Sequence, residues 1–360
     1  MASYRKLKSG WKVTVSKRVN GELKQISKNG FATKAEARLW GAQMEADTDT
    51  MSDAAIPFTD YFWSWYETYK APKLAQLTCD KYMTIHKSLC NWFGKQKLSS
   101  ITRADYQHYI NQFGSCHAKD TVYKYHSVIK ACVKSAVLDE LIAKNFTDGI
   151  ELVYNAGRSI DVEYLEIDEL KKLTKATATN FDPHYTTRYI IYTAIFTGMR
   201  LGEILALTWN DVDFKNHTID INKSWDYIHH TGFKPVKTSS SKRVIKVNQE
   251  LLNALGTLKL NGYEMVFENQ FRTIPSPTAI RKMLLTLLAE CNIHRKNFHF
   301  HSLRHTHVAY LLYCGVDLYG ISKRLGHSDM TITARKYSYL LSAYSEKLDN
   351  QITGALSLLS

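Results

Sequence analysis

The sequence contains no run of about 18 apolar residues, which excludes a membrane-spanning helix of ordinary length. Its six cysteines (79, 90, 116, 132, 291 and 314) never fall in a Cys-x-x-Cys pair. Scattered thiols of this kind are expected to be reduced, in a cytoplasmic protein rather than a disulfide scaffold. The first eight residues, Met1 to Lys8, are charged with no apolar stretch behind them, unlike a secretory signal. Low-complexity tracts, internal repeats and a Walker-type glycine-rich loop are also missing. Acidic residues are under-represented, with 34 Asp and Glu against 47 Lys and Arg, a net charge of +13. That imbalance favours a polyanionic partner, with nucleic acid ahead of an anionic membrane surface.

What is present reads as two or three domains, since 360 residues and 44% hydrophobic content suffice for several cores. The basic charge is concentrated. Residues 1–40 hold ten Lys and Arg and two acids, a net +8. Trp11 to Val15 alternates like a strand. Asn20-Gly21 is a hairpin signal, and Leu23 to Ile26 is the returning strand. Thr33 and Glu36 are spaced as a capping box, opening a helix expected to bury Leu39, Trp40 and Met44. Residues 1–50 are therefore expected to form a three-stranded sheet plus one helix with a basic face. Arg5, Lys6, Lys12, Lys17 and Arg18 are its candidate DNA-binding residues.

Residues 46–57 read as a linker. Phe58, Tyr61, Phe62, Trp65, Tyr66 and Tyr69 then recur at helical spacing. Further helices are expected after Thr78, near Thr102, over 119–137 and over 139–144. This makes an all-helical unit at 57–148, with Lys119 and Lys124 on a charged face. The remaining unit, 160–348, mixes helices with strand-like runs at 213–221 and on either side of Thr238 to Arg243. Residues 349–360 form an apolar tail.

Four segments of the last unit carry chemistry-bearing residues: Thr197-Gly-Met-Arg-Leu-Gly-Glu203, Pro235-Val-Lys-Thr-Ser-Ser-Ser-Lys-Arg243, Phe300-His-Ser-Leu-Arg-His-Thr-His307 and Leu325-Gly-His-Ser328. Tyr337 follows His327 by ten residues. In this order and spacing they resemble the tyrosine recombinases, and among them the bacteriophage and conjugative-transposon integrases. The resemblance covers the whole chain. One departure is Phe146 after Asn145, where the family commonly has Pro.

The resemblance implies a multidomain fold, mainly α with small β-sheets. Its parts are an arm-type DNA-binding domain (a three-stranded sheet plus helix), a helical SAM-like core-binding domain, and an α+β tyrosine-recombinase catalytic domain. It implies strand cleavage through a 3′-phosphotyrosyl intermediate to integrate or excise a phage or mobile element. Tyr337 is then the nucleophile, and Arg200 and Arg304 the phosphate clamp. His301 is base or phosphate ligand, Lys237 on a hairpin the proton donor to the leaving 5′ oxygen, and His327 a second phosphate donor. Glu203 is a brace. No metal or cofactor is implied. Double-stranded DNA, a tetramer on that DNA, and host bending or excision factors are the implied partners.

These roles suit the residues. A five-coordinate phosphate gathers negative charge that fixed cations must stabilise, and guanidinium can donate two parallel bonds to it. A phenol of pKa about 10 needs a base or nearby cations to attack at neutral pH. The hairpin cations Lys242 and Arg243 are divided evenly between solvated charge and DNA-backbone contact. His299, His301, His305 and His307 lack the Glu of a His-Glu-x-x-His zinc site and any matched ligand set. His305 and His307 are expected to pack the helix or face DNA rather than react. Tyr339 competes with Tyr337 as nucleophile but lies at the wrong offset from His327. Two rival readings are a type IB topoisomerase-like enzyme and a non-catalytic DNA-binding regulator of the same fold.

Overall fold

A computed structural model describes residues 2–7, 9–19, 22–49, 56–158 and 162–326, with six single positions between 331 and 357. The side chains at 17–19, 22–24 and 45–49 are outside the described set. The chain divides into two compact units, Met1–Ser159 and Ile160–Ser360.

The first unit opens with three antiparallel strands, β1 (Ala2–Leu7), β2 (Gly10–Val19) and β3 (Glu22–Phe31), in that spatial order. Val19 pairs with Glu22; the Asn20-Gly21 turn expected between them lies outside the described residues. Helix α1 (Lys34–Asp49) starts where the Glu36 amide donates to the Thr33 hydroxyl at 3.2 Å. The core here is Val13, Val15 and Ala37, joined by Trp40 and Met44. Leu39 departs from expectation at 67% exposed. It precedes Trp40 by one residue, about 100° around the helix, and so turns away from the sheet.

Four helices follow: α2 (Phe58–Tyr69), α3 (Gln76–Phe93), α4 (Arg103–Ser115) and α5 (Lys119–Leu138). Thr102 and Asp105 form a reciprocal capping box at the start of α4. The aromatic stripe of α2 is buried from Phe58 to Tyr66, while Tyr69 is exposed. The short helix expected at 139–144 is replaced by turns, with Glu140 in the left-handed region at φ 56°. Phe146, the departure noted above, is a core residue whose ring meets Phe58 edge-on at 5.6 Å.

The second unit contains α6 (Ile167–Thr179), α7 (Thr187–Thr197), α8 (Leu201–Leu205), β4 (Val212–Asp213), β5 (Thr218–Ile221), β6 (Lys223–Asp226), β7 (Gly232–Pro235), β8 (Arg243–Lys246), α9 (Gln249–Thr257), α10 (Pro277–Glu290), α11 (Phe300–Tyr313) and α12 (Leu318–Leu325). Its main core is centred on α7, whose residues 189–195 are all buried. The two strand-like runs flanking Thr238 do not pair with each other. β7 pairs with β6, whereas β8 pairs with β5 in a different sheet. Lys237 therefore lies on a sheet-to-sheet connection rather than on a two-stranded hairpin tip.

Candidate active site

Two helix ends with left-handed glycines build the site. Gly198, at φ 64°, terminates α7, and a Cβ there would lie 2.7 Å from His307 Cδ2. Gly326, at φ 68°, terminates α12, and a Cβ there would meet the Ser240 carbonyl oxygen and Arg243 within 3.1 Å. Only glycine satisfies both the backbone conformation and the close approach.

Beyond Gly198 the chain turns at once into α8, with Arg200 as its N-cap. Glu203 closes the turn from one helical turn on. Its carboxylate accepts the Arg200 amide at 3.0 Å and the Arg200 guanidinium at 2.7 Å. Arg304 projects from α11 onto both glycine turns, donating to the Gly198 carbonyl at 2.7 Å and the Leu325 carbonyl at 2.8 Å. The two arginines, about 100 residues apart in sequence, thus share one turn. Burial, then the like charge of Arg200, pulls the Arg304 pKa down to about 9. Arg243 lowers it further, while Glu203 and Tyr337 oppose them. The group is cationic at neutral pH, in a place that favours an added anion.

Arg243 is buried rather than solvated. Its side chain is 6% exposed, donates to Glu203 at 2.9 Å and to the Arg324 carbonyl at 2.7 Å, and so braces the site. Burial pushes the Glu203 carboxyl up, but the Arg243 hydrogen bond and charge, and then Arg200, hold it below the ordinary range. Lys242 beside it is exposed.

Sequence reasoning gave Arg324 no role. Its guanidinium donates to the Lys246 carbonyl at 2.8 Å, the Phe196 carbonyl at 3.0 Å and His307 Nε2 at 3.1 Å. It thereby ties α7, β8, α11 and α12 together. His307 accepts at Nε2, so its proton sits on Nδ1, which meets the Ile195 carbonyl at 2.9 Å. Burial, then Arg324, lowers its pKa to about 3. This histidine packs the helix, as expected. The only sequence signals for Arg324 were its place in the last turn of a helix and the glycine two residues later.

Tyr337 is buried, at 2% exposure, and its hydroxyl is hydrogen-bonded to His305 Nδ1 at 2.5 Å. His305 is buried on α11, and this contact with Tyr337 was not part of the sequence expectation. The His301 ring stands 4.9 Å from that of His305, at 89° to it. His301 is exposed and lines a cleft of about 320 Å³ with Arg200, Ser224, Tyr227, Lys234 and Phe300. Lys234 in this cleft pairs with Asp226 at 3.2 Å. Lys237 is exposed on its connection. His327, Tyr339 and most of the 349–360 tail lie outside the described residues. Among the described residues no cluster of His, Cys, Asp and Glu could hold a metal ion. No described helix is long and apolar enough to cross a membrane.

In the first unit, Arg5 and Lys6 are exposed on β1 and Lys12 is half-buried on β2; the Lys17 and Arg18 side chains are outside the described set. Lys119 and Lys124 are exposed on α5, with the Lys119 ammonium 5.4 Å from the ring centre of Tyr154.

Residues 163–342, half of the chain, match the model of the phage integrase family. The chain belongs to this family. Residues 2–48 match an arm DNA-binding domain and residues 57–113 a phage integrase N-terminal SAM-like domain. The integrase of Staphylococcus phage L54a is 27% identical over 291 residues, covering 73% of this chain and 81% of that one. The ICEBs1 integrase of Bacillus subtilis strain 168 is 25% identical over 278 residues, 72% of each chain. Among solved structures, the Tn1549 transposon integrase in complex with transposon right end DNA superposes with a TM-score of 0.68 at 19% identity. It covers 82% of this chain and all of that one. A lambda integrase tetramer bound to a Holliday junction gives 0.63 at 15% identity, covering 91% and 96%. These likenesses establish the fold: an N-terminal sheet module, a helical core-binding part and an integrase catalytic part. The family makes this integrase a tyrosine-type site-specific recombinase.

Proposed function

We propose that this integrase cuts and rejoins duplex DNA through a 3′-phosphotyrosyl bond on Tyr337, without metal or cofactor, to integrate or excise a mobile element. The observation that carries the reading is geometric: Arg304 donates to the Gly198 carbonyl, two residues before Arg200, and its neighbour on α11, His305, meets the Tyr337 hydroxyl at 2.5 Å. A scissile phosphate entering the cleft would meet Arg200 and His301 on its wall, with the Arg304 charge behind. Each charge-assisted bond to it contributes about 1.5–3 kcal/mol. Lys237, on a connection open to solvent, protonates the leaving 5′ oxygen, and His327 supplies a further phosphate bond. Tyr337 must be uncovered as DNA docks, since a side chain 2% exposed cannot reach a duplex.

The working division is 1–50 for arm sites, with Arg5, Lys6, Lys12, Lys17 and Arg18 as contacts. Residues 57–148 bind the core site through Lys119 and Lys124, 160–348 catalyse, and 349–360 form a tail. Binding arm and core sites together raises the local concentration of each without new contacts. A tetramer on two duplexes is the active assembly, as in the lambda integrase structure on a Holliday junction. The reaction takes place in the cytoplasm of a bacterial host, with bending and excision factors as helpers.

Trapping on a nicked suicide duplex tests this, built from the junction sequenced at the ends of the element that carries the gene. Wild type should form a covalent protein–DNA band, and Tyr337→Phe should form none while DNA affinity stays within about twofold. A band persisting in Tyr337→Phe ends the nucleophile assignment. The topoisomerase-like rival predicts relaxation of supercoils on DNA lacking that junction.

A further inference from the structure

We infer that His305, rather than His301, accepts the phenolic proton of Tyr337 during strand cleavage. The inference rests on the covalent chemistry proposed above and assigns a group to one step of it. His305 Nδ1 is 2.5 Å from the Tyr337 hydroxyl. The His305 side chain is itself buried, 5% exposed. His301, Arg304 and His305 come from one turn of α11, and the first two point to different tasks. Arg304 is anchored on the Gly198 and Leu325 carbonyls, and His301 opens into the cleft that holds Arg200. With its ring edge-on to His305 and open to the cleft, His301 is placed to donate to a phosphate oxygen. His305 lies deeper, already at the reacting oxygen, at a length suited to proton transfer.

The step balances without any co-reactant. The Tyr337 O–H bond breaks and its proton goes to His305 Nδ1, while the phenolic oxygen forms a bond to phosphorus. The P–O5′ bond breaks, and the 5′ oxygen takes a proton from Lys237. In rejoining, the incoming 5′ hydroxyl returns a proton to Lys237, and the departing Tyr337 oxygen takes its own back from His305. Arg304 precedes His305 on α11 and donates to the Gly198 carbonyl, two residues before Arg200, which shares the Glu203 carboxylate with Arg243. This cationic surround favours the phenolate once the proton has moved.

The experiment measures the rate of covalent-adduct formation on the same suicide duplex for His305→Asn and His305→Gln. An asparagine amide can occupy the Nδ1 position and keep the hydrogen bond, but it cannot take a proton. The expected result is a loss of at least 100-fold in adduct rate for His305→Asn, with DNA affinity within twofold and the acid limb of the pH–rate profile flattened. Incorporating 3-fluorotyrosine at position 337, a more acidic phenol, should restore at least tenfold to either variant. A His305→Asn rate within threefold of wild type would overturn the inference, because the contact would then belong only to the DNA-free state. Loss of rate without fluorotyrosine rescue would also overturn it, leaving His305 a packing residue. A Tyr337→Phe variant run in parallel separates the two levels. If it still forms adduct, the nucleophile reading has failed; if it does not and His305→Asn reacts normally, only the present inference has.

Discussion

Arg243 and Glu203, 40 residues apart in sequence, meet in a buried ion pair at 2.9 Å, and the same carboxylate grips Arg200. The orientation of the half-buried Arg200 is thus set by a more deeply buried arginine. Removing Arg243 would leave Glu203 buried with only one of its two guanidinium partners. Breaking such a pair from one side costs about 3–5 kcal/mol. Arg243→Ala should therefore lower the denaturant midpoint of the second unit and slow adduct formation, although Arg243 itself is not expected to touch DNA. Chemical denaturation and suicide trapping on the same preparation check both. A variant that is fully stable yet weaker in DNA binding would restore Arg243 to the DNA surface.

The turn at Gly198 offers a second test. Gly198→Ala must place a methyl group 2.7 Å from His307 Cδ2 while holding φ at 64°. The left-handed conformation alone costs about 1–2 kcal/mol for a non-glycine residue, and the contact adds to it. The carbonyl of this residue accepts from Arg304, and Arg200 is two residues on, so any relief of strain moves both arginines. A melting temperature several degrees lower, with adduct rate falling more than DNA affinity, is the expected outcome. An unchanged melting temperature would contradict the close approach.

Much of this site was legible in the sequence because phosphate chemistry uses few residue types at fixed intervals. Arg200 and Arg304 were identified as a pair and share a turn. Glu203 was read as a brace and holds Arg200. The aromatic stripe of α2 and the antiparallel pairing of β2 with β3 followed from periodicity and alternation, which are local. What escaped was long-range. Nothing near Arg243 signals that its partner is 40 residues upstream, so a buried guanidinium looked like a surface cation. Arg324 bonds mainly to backbone carbonyls, which every residue possesses, and leaves no pattern. Pairing of β7 with β6 rather than β8 depends on sheet assembly, which alternation within a strand does not encode. His305 was set down as packing or DNA-facing, because its contact with Tyr337 is made across 32 residues of sequence.

Stability should fall with acid, with His307 as an identifiable source. Its folded pKa, about 3, lies below the unfolded value of about 6.5. Between these values the unfolded chain binds the extra proton, so stability is full above about pH 6.5 and declines as pH falls. Each unit of pH in that window costs about 1.4 kcal/mol, or about 2 kcal/mol between pH 6.5 and 5. The depressed carboxyl of Glu203 acts in the same direction, but only below its unfolded pKa of about 4.5. His126 in α5 is also lowered, chiefly by burial. The stability difference between wild type and His307→Gln isolates the contribution of His307. It should shrink by about 2 kcal/mol from pH 6.5 to pH 5. A constant difference would mean that His307 is protonated in the fold.

Lys119 and Lys124 are exposed five residues apart on α5 and are the cations of the helical part expected to neutralise phosphates. Each phosphate neutralised on duplex DNA contributes about 0.9 to the slope of log affinity against log salt. Replacing both by alanine should reduce that slope by nearly 2 while leaving the rate of adduct formation at saturating protein unchanged. An unaltered slope would move the core-site contact to another face.

Two lysines compete for the leaving oxygen. Lys237 matches the family position, yet it lies on an exposed connection, while Lys234 shares the cleft with Arg200 and His301. Lys234 is held by Asp226, a carboxylate kept well below its ordinary pKa, first by the Thr231 hydroxyl and with help from Lys234 itself. An ammonium locked to a carboxylate is a poorer proton donor to a departing oxygen, because losing its proton strands the negative charge. Lys237 carries no such tether among the described residues and can swing as DNA docks. Lys237→Ala should therefore slow cleavage of ordinary DNA by about 100-fold or more. It should recover on a duplex whose scissile 5′ oxygen is replaced by sulfur, which leaves without protonation. Lys234→Ala should show a smaller loss that sulfur does not repair. Sulfur rescue of Lys234→Ala in place of Lys237→Ala would exchange the two roles.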